Sequence, residues 1–211
     1  MKQAKPTNKK LLTARGQGKS AGQIRIIAGK HKGRKLPVLM AQGLRPTTDR
    51  VKETVFNWLM PYIHQANCLD CFAGSGSLGF EAMSRGAAHV TLIELNKAAA
   101  KQLQANKSLI KADNITIYQD DALNFLRTSA IKIEQRDNNH QAFDLVFLDP
   151  PFRKKLVEQS AQLLNNYGLL DEALIYVEME AESTQVIPAN WRLLKEKVAG
   201  QVVYQLYQYQ Q

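Results

Sequence analysis

The chain has 211 residues, 45% hydrophobic and 22% charged, enough for one well-buried core and short for two full domains. It lacks an apolar run long enough to span a membrane, and its first ten residues are polar and basic, unlike a signal peptide, so a cytoplasmic protein is expected. Of its 28 Lys and Arg, twelve fall in residues 1–48, together with none of its 19 Asp and Glu, and this segregation points to a polyanionic partner.

In chain order, residues 1–22 read as a flexible basic arm. Gln23–Ala28 and Arg34–Val38 read as two strands joined by the turn Gly29–Gly33, a basic β-hairpin in an extension spanning 23–44. Arg45-Pro46-Thr47-Thr48-Asp49-Arg50 leads into a helix over 51–59, where Val51, Val55, Trp58 and Leu59 recur at helical spacing and Pro61 closes the run. From Asn67 onward strands near 67–72, 88–94, 114–119, 143–148 and 173–180 alternate with helices near 77–85, 96–111, 121–128 and 153–166. Asn96 is placed to cap one helix, and Gly168 to end another. Residues 130–142 read as a polar surface loop, and Trp191–Val198 with Gln201–Tyr209 as a closing strand pair reversing at Gly200. The alternation predicts an α/β domain over 45–211, with a mainly parallel sheet covered on both faces. Cys68 and Cys71 lie inside an apolar run and supply too few ligands for a structural zinc site, so they are expected to be core thiols, with no metal.

Four features carry chemistry. Leu69-Asp70-Cys71-Phe72-Ala73-Gly74-Ser75-Gly76-Ser77-Leu78-Gly79 runs from a strand through a glycine turn into a helix. Gly74, Gly76 and Gly79 have the Gly-x-Gly-x-x-Gly spacing, which suits a dinucleotide as well as S-adenosylmethionine. Glu94 ends the next strand, 20 residues past Gly74, where a carboxylate accepts hydrogen bonds from both hydroxyls of a ribose. The pair points to a nucleoside-containing cofactor, with NAD still open. Asp121-Ala122 follows the strand Ile115–Tyr118. In methyltransferases an acidic residue here holds the adenine amino group; Asp120 or Asp121 serves equally well as a helix cap.

The fourth feature is the most specific. The apolar strand Phe143–Leu148 ends in Asp149-Pro150-Pro151-Phe152. Pro150 and Pro151 fix the backbone and remove two amide donors, leaving carbonyls such as that of Pro150 free for a ligand. An exocyclic amine on an aromatic ring is a poor nucleophile, because its lone pair is delocalised. Acceptors at Asp149 and the Pro150 carbonyl would bind its two hydrogens and hold the nitrogen toward an activated methyl group, while Phe152 stacks on the base.

Taken together, Asp70-x-x-x-Gly74-x-Gly76, Glu94, Asp121-Ala122 and Asp149-Pro-Pro-Phe152 resemble a Rossmann-like class I methyltransferase that modifies an exocyclic base nitrogen. Arg25-Ile-Ile-Ala-Gly-Lys30, Lys32-Gly-Arg-Lys-Leu36 and Arg45-Pro-Thr-Thr-Asp-Arg-Val-Lys-Glu53 narrow the likeness. With them the chain resembles, over residues 23–208, the bacterial small-subunit ribosomal RNA guanine-N2 methyltransferase D family. The resemblance implies a seven-stranded sheet, S-adenosyl-L-methionine as cofactor, and methylation of guanine 966 of 16S rRNA by a monomer, in the small subunit or its assembly intermediate. It implies cofactor contacts at Gly74, Gly76, Glu94 and Asp121, flanked by Asp70, Phe72, Ala73, Leu95 and Ala122, and base contacts at Asp149, Pro150 and Phe152. Arg25, Lys30, Lys32, Arg34 and Lys35 would grip phosphates, with Arg45 and Arg50 near the target base. An N6-adenine methyltransferase is the nearest alternative, since such enzymes also carry Asn or Asp before Pro-Pro-Phe. An NAD oxidoreductase would leave Asp149–Phe152 unexplained, and a non-catalytic RNA-binding factor would not need the cofactor turn.

Overall fold

Gly29 and Gly33, at φ 78° and 83°, let the chain reverse between β1 (Gly22–Arg25) and β2 (Lys35–Val38), which pair antiparallel with Ile24 opposite Leu36. The computed structural model describes residues 22–39, 49–134, 142–166 and 170–210. The basic arm, Arg45 and Gly168 lie outside them. After the hairpin come α1 (Asp49–Leu59), β3 (Asn67–Asp70), α2 (Ser77–Ser84), β4 (His89–Ile93), α3 (Lys97–Ile110), β5 (Ile115–Tyr118) and α4 (Ala122–Glu134). β6 (Phe143–Leu148), α5 (Leu156–Asn166), β7 (Leu170–Glu180), β8 (Trp191–Ala199) and β9 (Val202–Tyr209) complete the fold.

The large sheet has the order β5-β4-β3-β6-β7-β9-β8. Pairings from β5 through β7 are parallel; those of β9 with β7 and β8 are antiparallel. Strand order reverses at β3, whose neighbours are β4 on one side and β6 on the other, so the carboxyl ends of β3, β4 and β6 face the crevice where such sheets bind ligands. Residues alternate between faces with period two. Cys68, Val90, Leu92, Leu145 and Phe147 pack under α1, α2 and α3. Leu69, Ile93, Val146, Leu148 and Val177 pack under α4 and α5, against Leu126, Val157, Ala161 and Leu164. The Asn96 side chain caps α3 by accepting from the Ala98 and Ala99 amides. Cys68 and Cys71 are free and buried, and burial pushes both thiols up.

Four boundaries depart from expectation. β1 ends at Arg25 instead of Ala28, because the Ile27 and Ala28 amides donate to Glu81 rather than to a strand partner. α4 runs on to Glu134 instead of ending near 128, since neither Gly nor Pro interrupts Thr128–Glu134. α5 begins at Leu156 rather than 153, because Arg153 and Lys155 adopt left-handed φ of 62° and 52°. β7 starts at Leu170, where a bulge of two extra β7 residues between its pairings with Phe143 and Leu145 extends the ladder.

The hairpin shares the core of the domain. Ile24, Ile26, Leu36 and Val38 are buried with the residues under α1–α3. Glu81 of α2, fully buried, accepts from the Ile27 and Ala28 amides at 2.7 and 3.0 Å and from Arg85 Nε at 2.7 Å. Lys52 Nζ of α1 lies 3.9 Å from the same carboxylate and donates to the Arg25 carbonyl at 2.5 Å. Ser84 Oγ donates to the Ala28 carbonyl and accepts from the His31 amide. Asn106 of α3 donates to the Pro37 carbonyl. A Cβ on Gly29 would stand 1.8 Å from the Ser84 carbonyl oxygen, so only glycine lets the hairpin turn sit on the end of α2.

Candidate active site

The site is built on the carboxyl ends of four neighbouring strands. β3 ends in Asp70, whose carboxylate accepts from the backbone amides of Phe72 and Gly79. Its burial raises the carboxyl to about 7 against those two hydrogen bonds, and the nearby Glu94 charge adds to the rise. The turn that follows needs its glycines. Gly76 stands at φ 79° ahead of α2, and a Cβ there would meet Phe80 and Leu103 carbons at 2.6 and 2.7 Å. At Gly79 a Cβ would lie 2.2 Å from Leu92 Cδ2, so its bare backbone lets α2 lie against β4.

β4 delivers Glu94 to the same place. Its Oε2 accepts from the Gly74 amide at 2.8 Å and its Oε1 from the Asn96 amide at 2.6 Å. The carboxylate thus bridges the glycine turn and the start of α3. Ala73 is buried, its amide donating to the Ile93 carbonyl; Phe72 is half-buried and Leu95 exposed. A recess lined by Val38, Leu39, Gly74, Ser75, Ala99 and Gln102 brings the end of the hairpin beside this turn.

At the end of β5 the structure shows the capping role. Asp121 Oδ1 accepts from the Asn124 amide at 3.0 Å, at the start of α4. Asp120 holds the Asn124 side chain and the Asp121 amide. Ala122 is buried beneath them.

β6 ends in Asp149, half-buried, followed by buried Pro150 and exposed Pro151 and Phe152. Burial raises the Asp149 carboxyl well above the usual range; the Glu178 charge is the next largest cause, and Asp70 follows. Glu178 lies on β7, nine-tenths buried, and accepts from the Tyr176 hydroxyl at 3.0 Å. Its own carboxyl is also raised by burial. No motif marks Glu178. The signal available in the sequence was a lone acid in the otherwise apolar run Ala173–Met179.

The hairpin cations divide. Lys30, Lys32, Arg34 and Lys35 are exposed, with Arg34 Nη2 reaching the Leu109 carbonyl at 3.4 Å. Arg25 is engaged by Asp49 through its Nε and Nη2 at 3.0 and 2.6 Å, which ties β1 to the start of α1. Arg50, next along α1, is exposed. Among the described residues there is no cluster of His, Cys, Asp and Glu that could hold a metal ion, and no helix long and apolar enough to cross a membrane.

Against known proteins, the family described as conserved hypothetical protein 95 matches residues 24–208. Ribosomal RNA small subunit methyltransferase D of Escherichia coli K12 is 54% identical over 190 residues, covering 89% of this chain and 91% of its own length. The chain belongs to this family. The methyltransferase D of Haemophilus influenzae is also 54% identical, over 89% of this chain and 94% of that protein. The solved structure of the Escherichia coli methyltransferase yhhF superposes with a TM-score of 0.78 at 51% identity, covering 89% of this chain and 98% of that one. The chain is therefore a methyltransferase of Rossmann-like fold, with the seven-stranded sheet and added hairpin that its sequence predicts.

Proposed function

We propose that the chain uses S-adenosyl-L-methionine to methylate the exocyclic N2 of guanine 966 in 16S rRNA, acting as a cytoplasmic monomer on the small subunit or its assembly intermediate. The observation that carries this reading is Asp149, half-buried at the end of β6, next to the strand whose end opens into the Gly74–Glu94 turn. The relatives named as small-subunit rRNA methyltransferases support the substrate class.

The residues present suit the cofactor. The turn offers backbone amides at the start of α2, and Glu94 offers a carboxylate at the strand end where a ribose would lie. Bound S-adenosylmethionine supplies an electrophilic methyl group there. Asp149 and the Pro150 carbonyl would each accept a hydrogen from the guanine amine and fix its nitrogen, and Phe152, exposed beside them, would stack on the base. A methylated amine nitrogen carries one proton too many, and Asp149, already accepting one of its hydrogens, would receive it. Lys30, Lys32, Arg34 and Lys35 would hold phosphates on a hairpin kept rigid by the Glu81 contacts.

Labelled methyl transfer tests this reading, with unmethylated small subunits, naked 16S rRNA and duplex DNA offered in parallel. Label recovered as N2-methylguanosine from subunits is expected. Label in adenine, or in DNA alone, would overturn the assignment in favour of an N6-adenine enzyme.

A further inference from the structure

Three hydrogens line the edge of guanine presented to such a site, two on the exocyclic nitrogen and one on ring N1. Asp149 and the Pro150 carbonyl account for two acceptors. We propose that Glu178 is the third, accepting the ring N1–H and thereby selecting guanine over adenine. The inference rests on the guanine reading above and adds to it a specificity residue.

Placement supports this. β6 and β7 run parallel with Leu148 beside Val177, so Asp149 and Glu178 are the next residues on adjacent strands, about 4.8 Å apart as neighbouring strands are. Each falls one residue beyond a side chain buried under α4 and α5, Leu148 and Val177. Both therefore belong to the opposite face, with Phe147 and Tyr176. Tyr176 holds Glu178 in place. Tyr176, fully buried, donates its hydroxyl to Oε2, and Tyr204 of β9 stands in register with it. The other oxygen, Oε1, has no hydrogen-bond partner among the described residues, and no Lys or Arg forms an ion pair with the carboxylate. The carboxyl is thus anchored through one oxygen and keeps the other free to accept from a base edge.

The chemistry separates the bases. Adenine offers the same exocyclic amine, but its ring N1 carries a lone pair where guanine carries N–H. Facing the ionised form of Glu178, that lone pair would be repelled and left unpaired, the kind of mismatch by which buried polar groups reject a near-isostere. Asp149-Pro-Pro-Phe152 is common to enzymes of both bases, so discrimination must come from elsewhere, and Glu178 is placed to supply it.

The test compares small subunits reconstituted with guanine or with 2-aminopurine at the target. 2-Aminopurine retains the exocyclic amine but has a bare N1. Wild-type enzyme is expected to prefer guanine in kcat/KM by about 10–100-fold, the scale of one well-made hydrogen-bonded contact. In Glu178→Gln the side-chain amide can turn its N–H toward the bare N1, so this preference should narrow at least about tenfold, partly through faster turnover of 2-aminopurine. Tyr176→Phe, which keeps the carboxylate and frees its orientation, should narrow the preference by a few-fold. An unchanged preference in both variants would overturn the proposal. So would equal losses on both bases with S-adenosylhomocysteine binding intact, since Glu178 would then serve the transfer and not the selection. A wild-type preference below about threefold would overturn it without recourse to any variant. Failure of wild-type enzyme to form N2-methylguanine on guanine subunits is a separate result, and it would remove the underlying function.

Discussion

Two buried glutamates in this molecule are treated in opposite ways. Glu81 is surrounded by donors: two backbone amides of the hairpin, the Arg85 guanidinium, and Lys52. Glu178 receives one tyrosine hydroxyl and lies beside another carboxyl, Asp149, with no cation paired to either among the described residues. Burying an ion is costly unless its partners are present. Where they are all supplied, as at Glu81, the charge is structural, and it locks the basic hairpin onto the domain. Where they are withheld, as at Asp149 and Glu178, the missing partners are those a base edge can bring.

The comparison breaks most sharply at its structural end. Glu81→Ala leaves Lys52 buried without its counter-charge and frees two hairpin amides, and should lower stability by about 3–5 kcal/mol in urea unfolding. A loss under about 1 kcal/mol would show that the hairpin is held by its apolar residues alone. At the functional end, Asp149→Ala should cut methyl transfer about 10²–10³-fold while leaving stability and S-adenosylhomocysteine binding nearly unchanged. Near-normal turnover would remove Asp149 from the chemistry.

Asp70 sharpens the contrast by titration. Its carboxyl is ordinarily near 3.8 and is raised to about 7 in the fold. The folded state therefore holds a proton that the unfolded chain has released between those values. Its contribution to stability is full at acid pH, falls as pH rises from about 4 to about 7, and is flat above that, with a slope of at most about 1.4 kcal/mol per pH unit. Asp70→Asn should reduce that slope; identical slopes in variant and wild type would mean Asp70 is not the group responsible. The smallest effect is expected at the surface. Replacing Lys30, Lys32, Arg34 and Lys35 together by Gln should leave unfolding within about 0.5 kcal/mol, yet flatten the salt dependence of RNA binding by up to about 3 in log–log slope. An unchanged slope would show that this face of the hairpin does not meet RNA.

Much of this was legible in the residues. The apolar strands, the glycine turn, the Asn96 cap and the Gly200 reversal are local signals, and β6 falls on the residues predicted for it. Less legible was anything requiring a distant partner. Glu81 sits in the helix Ser77–Ser84, every residue of which is buried, and its hairpin donors lie 54 and 53 positions away. Lys52 looks like an ordinary surface lysine of an amphipathic helix, yet is 1% exposed. Arg25 reads as a phosphate ligand among its basic neighbours, and its pairing with Asp49, 24 positions away, is an added contact that the sequence does not show. Asp121 left two roles open, and only geometry shows the cap. Glu178 escaped notice for the same reason. One acid in an apolar strand acquires meaning only when the neighbouring strand is known to end in Asp149.

The most direct test of the whole account is to map methylated nucleosides by mass in small subunits from bacteria lacking their own methyltransferase D and supplied with this chain. The account predicts N2-methylguanosine restored at position 966 of 16S rRNA by the wild-type chain and not by Asp149→Ala. An unmethylated guanine at that position, with the protein folded and abundant, would contradict it.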